Sequence, residues 1–462
     1  MNTQRFELVK GLGAAAAMAM VVGHIIGTGV FLVPSSMARA TDSAAVVFLV
    51  WVVGGLLSLM GALTVAELGA ALPEAGGPYV YLTRGLGPRW GFLFGWMNNL
   101  VGKPASISTI AAGLLIFLSY FFPGVRTPIF TQHIPLPWVE TPHEFAFTWA
   151  QPLAAAAIAF VTFINYLGVR LAGRLQVALT FVKISAILAV VALGFIYGKG
   201  TEGIGQLFPN TFELSLLAGF LTAMVGALWA YDGWIDLTFA GSEIQQPQKN
   251  IPRAVVGGTI IVGVIYLLAN AVYFHSLTIE EVKAAPNVAA AAVRAFAGEN
   301  AAAWITAAMV ISAFTTLNSS ILTGARVPYA MARDGLFFNV ADGVHSKYRT
   351  PARALVFQGV MSSVMVLTGQ FEDLFSLFIF AQWIFYALTV ASVFGLRKRE
   401  PELSRPYRAW GYPVLPAIFV LGATALTVNL YIQRPGRSTI GLALILSGLF
   451  FYRRWRTQAA LR

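Results

Sequence analysis

Gly23-His24-Ile25-Ile26-Gly27-Thr28-Gly29 interrupts the first long apolar run of the chain, with Ala14 to Val22 before it and Val30 to Val33 after it. Three glycines in so short a stretch favour unwound backbone, because glycine adopts dihedrals that a side chain forbids. Inside a bilayer, unwound backbone persists only where protein or a wet cavity satisfies its polar groups. A hydrophobic segment broken in this way builds a ligand site. The N–H groups of its second half face an anion and its freed carbonyls face a cation. An amino acid head group carries both charges.

Composition fixes the class around that break. The 462 residues are 57% hydrophobic and only 11% charged, with a mean hydropathy of +0.70, far from the balance of a soluble domain. Apolar runs of ~20 residues, each long enough to cross a hydrocarbon core, recur along the whole chain. About twelve spans are expected, near 11–37, 44–66, 90–121, 149–168, 175–198, 213–241, 252–277, 301–332, 352–370, 374–396, 411–432 and 438–456. The first runs well past signal-peptide length. With no cysteine, the chain has no disulfide, thiolate metal site or cysteine nucleophile.

The net charge of +11 is topological. With the N-terminus inside, 22 of the 31 lysines and arginines fall on the cytoplasmic side, among them Arg84, Arg170, Arg253, Arg326, Arg397 and Arg453. This is the positive-inside pattern, and it predicts both termini in the cytoplasm of a multi-pass cell-membrane protein. No basic–aromatic cluster suggests nucleic acid. The expected surroundings are the lipid bilayer and a small-molecule substrate.

A second interruption sits in the sixth span, where Trp229-Ala230-Tyr231-Asp232-Gly233-Trp234-Ile235-Asp236 separates Leu216–Leu228 from Leu237–Ala240. Two mid-membrane carboxylates cost ~3 kcal/mol each on insertion scales, so they must face a cavity, a partner or the bundle interior. Breaks in spans one and six predict two halves of five spans, 11–198 and 213–396, related as inverted repeats, with 411–456 peripheral.

The same residues carry a family resemblance. The Gly23–Phe31 stretch, Ala66-Glu67-Leu68 and Gly76-Gly77-Pro78-Tyr79-Val80-Tyr81 resemble the amino acid–polyamine–organocation superfamily. Trp229–Glu243, Asn250-Ile251-Pro252-Arg253-Ala254 and Ala332-Arg333-Asp334-Gly335 resemble its L-type amino acid transporter branch, in order and from roughly residue 10 to 410. The resemblance implies an all-α polytopic membrane protein with the leucine-transporter fold, spans one and six unwound, and no cofactor. It also implies an amino acid between those spans.

Carried over by position, Thr28 and Gly29 resemble backbone donors to the substrate carboxylate. Ile25, Trp229 and Asp232 would offer carbonyls to its ammonium, with Gly27, Ala230, Tyr231 and Gly233 completing the two breaks. Trp229 resembles an aromatic that closes over substrate from outside; the plainer reading is an interfacial anchor. The side-chain pocket would draw on Val101, Gly102, Ser106, Ile110, Ile235, Asn318, Phe380, Gln382 and Trp383.

Lys183 is too deep in the fifth span to snorkel, so it needs carbonyls or a carboxylate around it. By resemblance it replaces a sodium ion, its ammonium meeting carbonyls near Gly23 and Gly27. A structural lysine paired with a bundle carboxylate is the alternative. Lys103, beside Pro104 in span three, is a candidate partner for Asp232 or Asp236. Asp232 suits a helix N-cap, and His24 suits either a pH sensor or a structural histidine. Pro104 is expected to kink span three. Glu243, Arg326, Arg333 and Asp334 are candidate inner-gate ion pairs.

Sodium-independent exchange of neutral L-amino acids is therefore the leading expectation. A proton- or potential-coupled carrier of cationic amino acids or polyamines is the alternative, motivated by Asp232, Asp236 and His24. A membrane-embedded enzyme is remote, since no nucleophile–base pair, metal cluster or phosphate loop appears. Animal L-type chains bond to a glycoprotein heavy chain through an extracellular-loop cysteine. Phe122 through Thr148 holds none, so a bacterial-type chain with no disulfide-linked heavy chain is expected.

Overall fold

The computed structural model describes residues 7–134, 143–198, 200, 214–368, 371–433 and 435–460. Helix α1 (Ala14–Ile25) and α2 (Gly29–Thr41) are followed by α3 (Ala44–Ala71), α4 (Pro78–Gly85), α5 (Pro88–Met97) and α6 (Lys103–Leu118). A hairpin of β1 (Pro128–Ile134) and β2 (His143–Thr148) leads to α7 (Ala150–Tyr166), α8 (Val169–Tyr197) and α9 (Leu214–Ala230). Then come α10 (Pro247–Ser276), α11 (Ile279–Ala284), α12 (Val288–Gly324) and α13 (Arg326–Arg333). The chain ends with α14 (Ala352–Thr368), α15 (Phe371–Arg399), α16 (Val414–Gln433) and α17 (Pro435–Ala460).

Eight helical segments among the described residues are long and apolar enough to cross a membrane. The shorter apolar helices Ala150–Tyr166, Leu217–Ala230 and Ala352–Thr368 fall where the fourth, sixth and ninth spans are expected. Local chemistry sets many boundaries. Ser43 accepts from the Val46 N–H to cap α3, and Thr278 with Glu281 forms a capping box on α11. Pro78, Pro88 and Pro247 occupy first-turn positions, where their missing N–H costs nothing.

Four details differ from the sequence expectation. The second half of the sixth span does not resume as α-helix, because Asp236–Phe239 and Gly241–Glu243 wind as short 3₁₀ turns. The Phe239 carbonyl there accepts from the Gly76 N–H at 2.9 Å instead of continuing a helix. Span three is disturbed by a π-helical turn, Asn98–Gly102, and Pro104 sits at the start of α6 rather than at a kink. The eighth span is two helices, since α12 ends at Gly324 and α13 begins at Arg326. Residues 122–148, expected as plain loop, carry the antiparallel hairpin.

One end of the bundle carries a buried ion pair and backbone contacts between distant segments. Arg326 donates from Nε to Glu243 Oε1 at 2.6 Å and from Nη2 to Oε2 at 2.9 Å, and both side chains are buried. The chain entering α1 is pinned beside them, with Leu12 N donating to Glu243 O at 3.0 Å and Gln245 N to Leu12 O at 2.8 Å. Arg333 and Asp334 do not join that pair. Arg333 donates to Tyr329 Oη at 3.2 Å, and Asp334 accepts from Tyr79 Oη at 2.6 Å. Nearby, buried Glu67 binds Arg397 bidentately and accepts from Ala409 N at 2.6 Å, tying α3 to α15 and the following loop.

Arg326→Ala strands Glu243 as a buried unpaired charge. The expected cost is about 3–5 kcal/mol, with far less for the double change Arg326→Met with Glu243→Leu. Thermal melting of the detergent-solubilised protein checks both values.

Candidate functional site

Helix α1 stops at Ile25 and α2 starts at Gly29, leaving Ile26, Gly27 and Thr28 outside both. The carbonyls this frees converge on one cation. Lys183, on α8 and buried, donates from Nζ to Gly23 O at 2.7 Å and Ile26 O at 2.5 Å. Helix α12 completes the shell. Thr316 Oγ1 reaches Gly23 O at 3.1 Å and Ile26 O at 3.2 Å, and Ser312 Oγ donates to Ile26 O at 3.1 Å. Among the described residues, Lys183 bonds carbonyls and no carboxylate. Gly23 is needed here for close approach, because a Cβ would lie 2.4 Å from Gln176 Nε2 and from Thr180 Oγ1.

The second break lies against the first. Residues 231–235, after α9, are not helical, and Gly233 has a φ of 111° that a side chain would strain. A Cβ on Gly29 would sit 2.8 Å from the Ala230 Cα, so only glycine permits this contact. Tyr266 on α10 staples the two ends, its hydroxyl lying 2.7 Å from Ile25 O and 2.9 Å from Ala230 O. One phenolic proton serves two carbonyls, which leaves accepting capacity at the junction. On the other side of the break, the first N–H groups of α2 have no intrahelical acceptor. Both backbone polarities therefore meet at one place.

The mid-membrane charges are gathered beside it. Asp236 Oδ2 holds the Lys103 ammonium and lies 2.9 Å from His24 Nε2, with all three side chains buried. His24 Nδ1 is 3.3 Å from Ser319 Oγ, and the Lys103 ammonium also lies 5.3 Å from the Phe239 ring. Asp232 does not cap a helix: its Oδ1 accepts from the Tyr386 hydroxyl on α15.

The remaining expected residues divide. Val101 and Gly102 lie in the π turn, with Ser106 and Ile110 successively one turn further along α6, all buried. Gly102 faces Gln382, whose Oε1 would be 3.3 Å from an added Cβ. Phe380 and Trp229 line a cavity of about 570 Å³ together with Arg39, Arg126 and Gln433. Three residues turn away from the break. The Asn318 amide is spent on Asn165 and Gln176, each at 2.9 Å, because it projects between α7 and α8. Trp383 stacks on Phe419 of α16 with ring centroids 6.0 Å apart. Tyr231 points to α3, donating to Trp51 O at 3.1 Å. Ile235 is fully buried in the core.

The profile of the family described as amino acid permease matches residues 12–451. The chain belongs to the amino acid permease family. It is 31% identical over 456 residues to the b(0,+)-type amino acid transporter 1 of Mus musculus, covering 96% of this chain and 88% of that protein. It is 32% identical to the serine/threonine exchanger SteT of Bacillus subtilis, covering 92% and 94%. With the human cystine/glutamate transporter it shares 28% identity, covering 97% and 86%. The resemblance to the superfamily and its L-type branch is thereby borne out. This permease is a polytopic helical membrane protein and an amino acid transporter rather than an enzyme.

Sequence reading missed Tyr266, Tyr386, Ser312, Thr316 and Ser319, whose hydroxyls bond the breaks across more than thirty positions. No local pattern marks them. Tyr266→Phe removes the staple and is expected to destabilise the permease by about 1–3 kcal/mol. Denaturant or thermal unfolding in detergent measures it, and an unchanged midpoint contradicts the staple.

Proposed function

We propose that the permease is a sodium-independent exchanger of neutral L-amino acids working by alternating access. The observation that carries this reading is Lys183. Its ammonium already fills the ring of Gly23 and Ile26 carbonyls with Thr316 and Ser312 around it, so a built-in charge stands where a coupling cation would otherwise be needed. The substrate carboxylate is assigned to the N–H groups of Thr28 and Gly29. Its ammonium is assigned to the carbonyls of Ile25, Trp229 and Asp232, with Gly27, Ala230, Tyr231 and Gly233 shaping the space. Charge-assisted bonds of both kinds are about twice as strong as neutral ones.

Neutral substrates follow from charge accounting. Asp236 is already matched by Lys103 and His24, which removes one of the two carboxylates that a cationic substrate would use. That a similar protein is named a serine/threonine exchanger supports exchange. The reading includes inverted repeats over 11–198 and 213–396, peripheral spans in 411–456, cytoplasmic termini in a bacterial-type cell membrane, and no disulfide-linked heavy chain. In that orientation Trp229 and Phe380 floor an outer vestibule of about 570 Å³, the Glu243–Arg326 pair closes the inside, and Trp229 is the gate.

Counterflow in proteoliposomes tests this directly. Internal alanine, serine or leucine is expected to drive uptake equally in sodium and choline, at two pH values, while arginine does not. Lys183→Ala is expected to abolish or strongly alter transport with the fold retained. A sodium requirement, an arginine preference or wild-type rates in that variant would overturn the proposal.

A further inference from the structure

A separate cavity, of about 470 Å³, opens where α4 turns into α5, beside the end of α13 and the late turns of α17. It lies at headgroup depth. The apolar span that includes α5 begins here at Pro88, α15 ends in Arg397-Lys398-Arg399, and the apolar run of α17 gives way to Arg453-Arg454. Trp90 in the cavity wall is 43% exposed, the placing expected of an aromatic residue at a membrane interface.

The polar groups around the cavity carry both signs and are uncommitted. The Arg89 guanidinium has no hydrogen-bond or ion-pair partner among the described residues. Its backbone N–H, in the first turn of α5, has no intrahelical acceptor. Tyr452 is 6% exposed, with its ring packed on Phe92 at a centroid distance of 5.3 Å. The Tyr452 hydroxyl has no partner among the described residues and is not sealed by protein, so it faces the cavity. Asp334 uses one oxygen, Oδ2 accepting from Tyr79 Oη at 2.6 Å, and pairs with no cation among the described residues. Donors for an anion thus share one cavity with a free carboxylate oxygen.

Such a site suits a zwitterion, and at this depth the membrane itself supplies one. A phosphatidylethanolamine headgroup carries a phosphate and a primary ammonium a few bonds apart. An anionic headgroup without the amine would leave Asp334 facing like charge, and a choline headgroup brings no N–H to it. We propose that this cavity binds the headgroup of a phosphatidylethanolamine, its phosphate on the Arg89 guanidinium and N–H and the Tyr452 hydroxyl, its ammonium on Asp334. The acyl chains follow the lipid-facing side of α17, where Leu446, Leu449 and Phe450 are exposed. Because α13 starts at Arg326, the bound headgroup braces the same end of the bundle that carries the Glu243–Arg326 pair.

Thermal melting of the full-length protein in detergent, with added dioctanoyl lipids, tests this without depending on transport. Dioctanoyl phosphatidylethanolamine is expected to raise the midpoint by about 2 °C or more, and the choline and glycerol lipids by far less. Arg89→Gln, at an exposed position, is expected to raise the lipid concentration for half-maximal shift about tenfold. Tyr452→Phe is expected to weaken binding in the same direction with the fold retained. Asp334→Asn is expected to erase the preference for ethanolamine over choline. Equal shifts by the ethanolamine and choline lipids, or an unchanged response in Arg89→Gln, would overturn the proposal. A shift as large with glycerophosphoethanolamine would overturn the lipid as its source. A shift with serine or leucine that Arg89→Gln abolishes would overturn it too, by assigning the cavity to substrate. Each of these outcomes leaves the exchange reading standing.

Discussion

An interrupted helix inside a membrane has carbonyls that no water reaches, and the Lys183 ammonium answers two of them at once. A buried lysine without acceptors is costly, and so are buried carbonyls without donors. Bringing Gly23 O and Ile26 O to one Nζ at 2.7 and 2.5 Å resolves both problems with the same contacts. The solution needs three elements. Helix α1 supplies the carbonyls, α8 the cation, and α12 the hydroxyls of Ser312 and Thr316. The break is therefore a property of the bundle and not of the glycine-rich stretch alone. Any motion of α1 away from α8 must carry Lys183 with it or replace its bonds.

The second break is stabilised in a different currency. There a phenol, Tyr266, bridges Ala230 O to Ile25 O. The charges that the sequence places there are paired laterally, with Lys103 and His24 meeting Asp236, and Tyr386 meeting Asp232. These contacts reach α1, α6 and α15 from one short irregular segment. Each partner lies on an element that a helix-by-helix rearrangement would shift relative to the others. The polar groups at the centre are thus satisfied in this arrangement in a way that ties their satisfaction to the relative position of the helices.

Much of this was legible in the sequence for a physical reason. Glycine clustering and a charge in an apolar run are local signals, and the bilayer makes each too expensive to be incidental. Hence the break at 26–28 and the need of Lys183 for carbonyls or a carboxylate follow from inspection, while the choice of first-span carbonyls is what the family resemblance implies. Hydroxyl and amide partners do not. Thr259 and Thr306 bond carbonyls four residues back in their own helices, while Thr316, in an equally apolar helix, reaches across to α1. The two uses look the same in sequence. Asn318 shows the converse: a polar residue expected at the ligand is consumed by Asn165 and Gln176, because its helical phase points it between α7 and α8. The π turn at 98–102 and the hairpin likewise arise from packing that no short-range pattern encodes.

The two ends of the bundle are unequal, and that inequality bears on how the transporter turns over. At one end Arg326 and Glu243 form a buried bidentate pair under the pinned Leu12 segment; at the other a cavity of about 570 Å³ reaches Trp229. A dry pair resists separation strongly, since each charge would be stranded. Once water enters, the same pair is worth only ~0–1 kcal/mol. Opening this end is therefore limited less by the ion pair itself than by admitting water to it. The Leu12–Glu243 and Gln245–Leu12 backbone bonds hold that water out. Because those bonds belong to the chain that enters α1, release of this end is mechanically joined to the helix whose other end clasps Lys183.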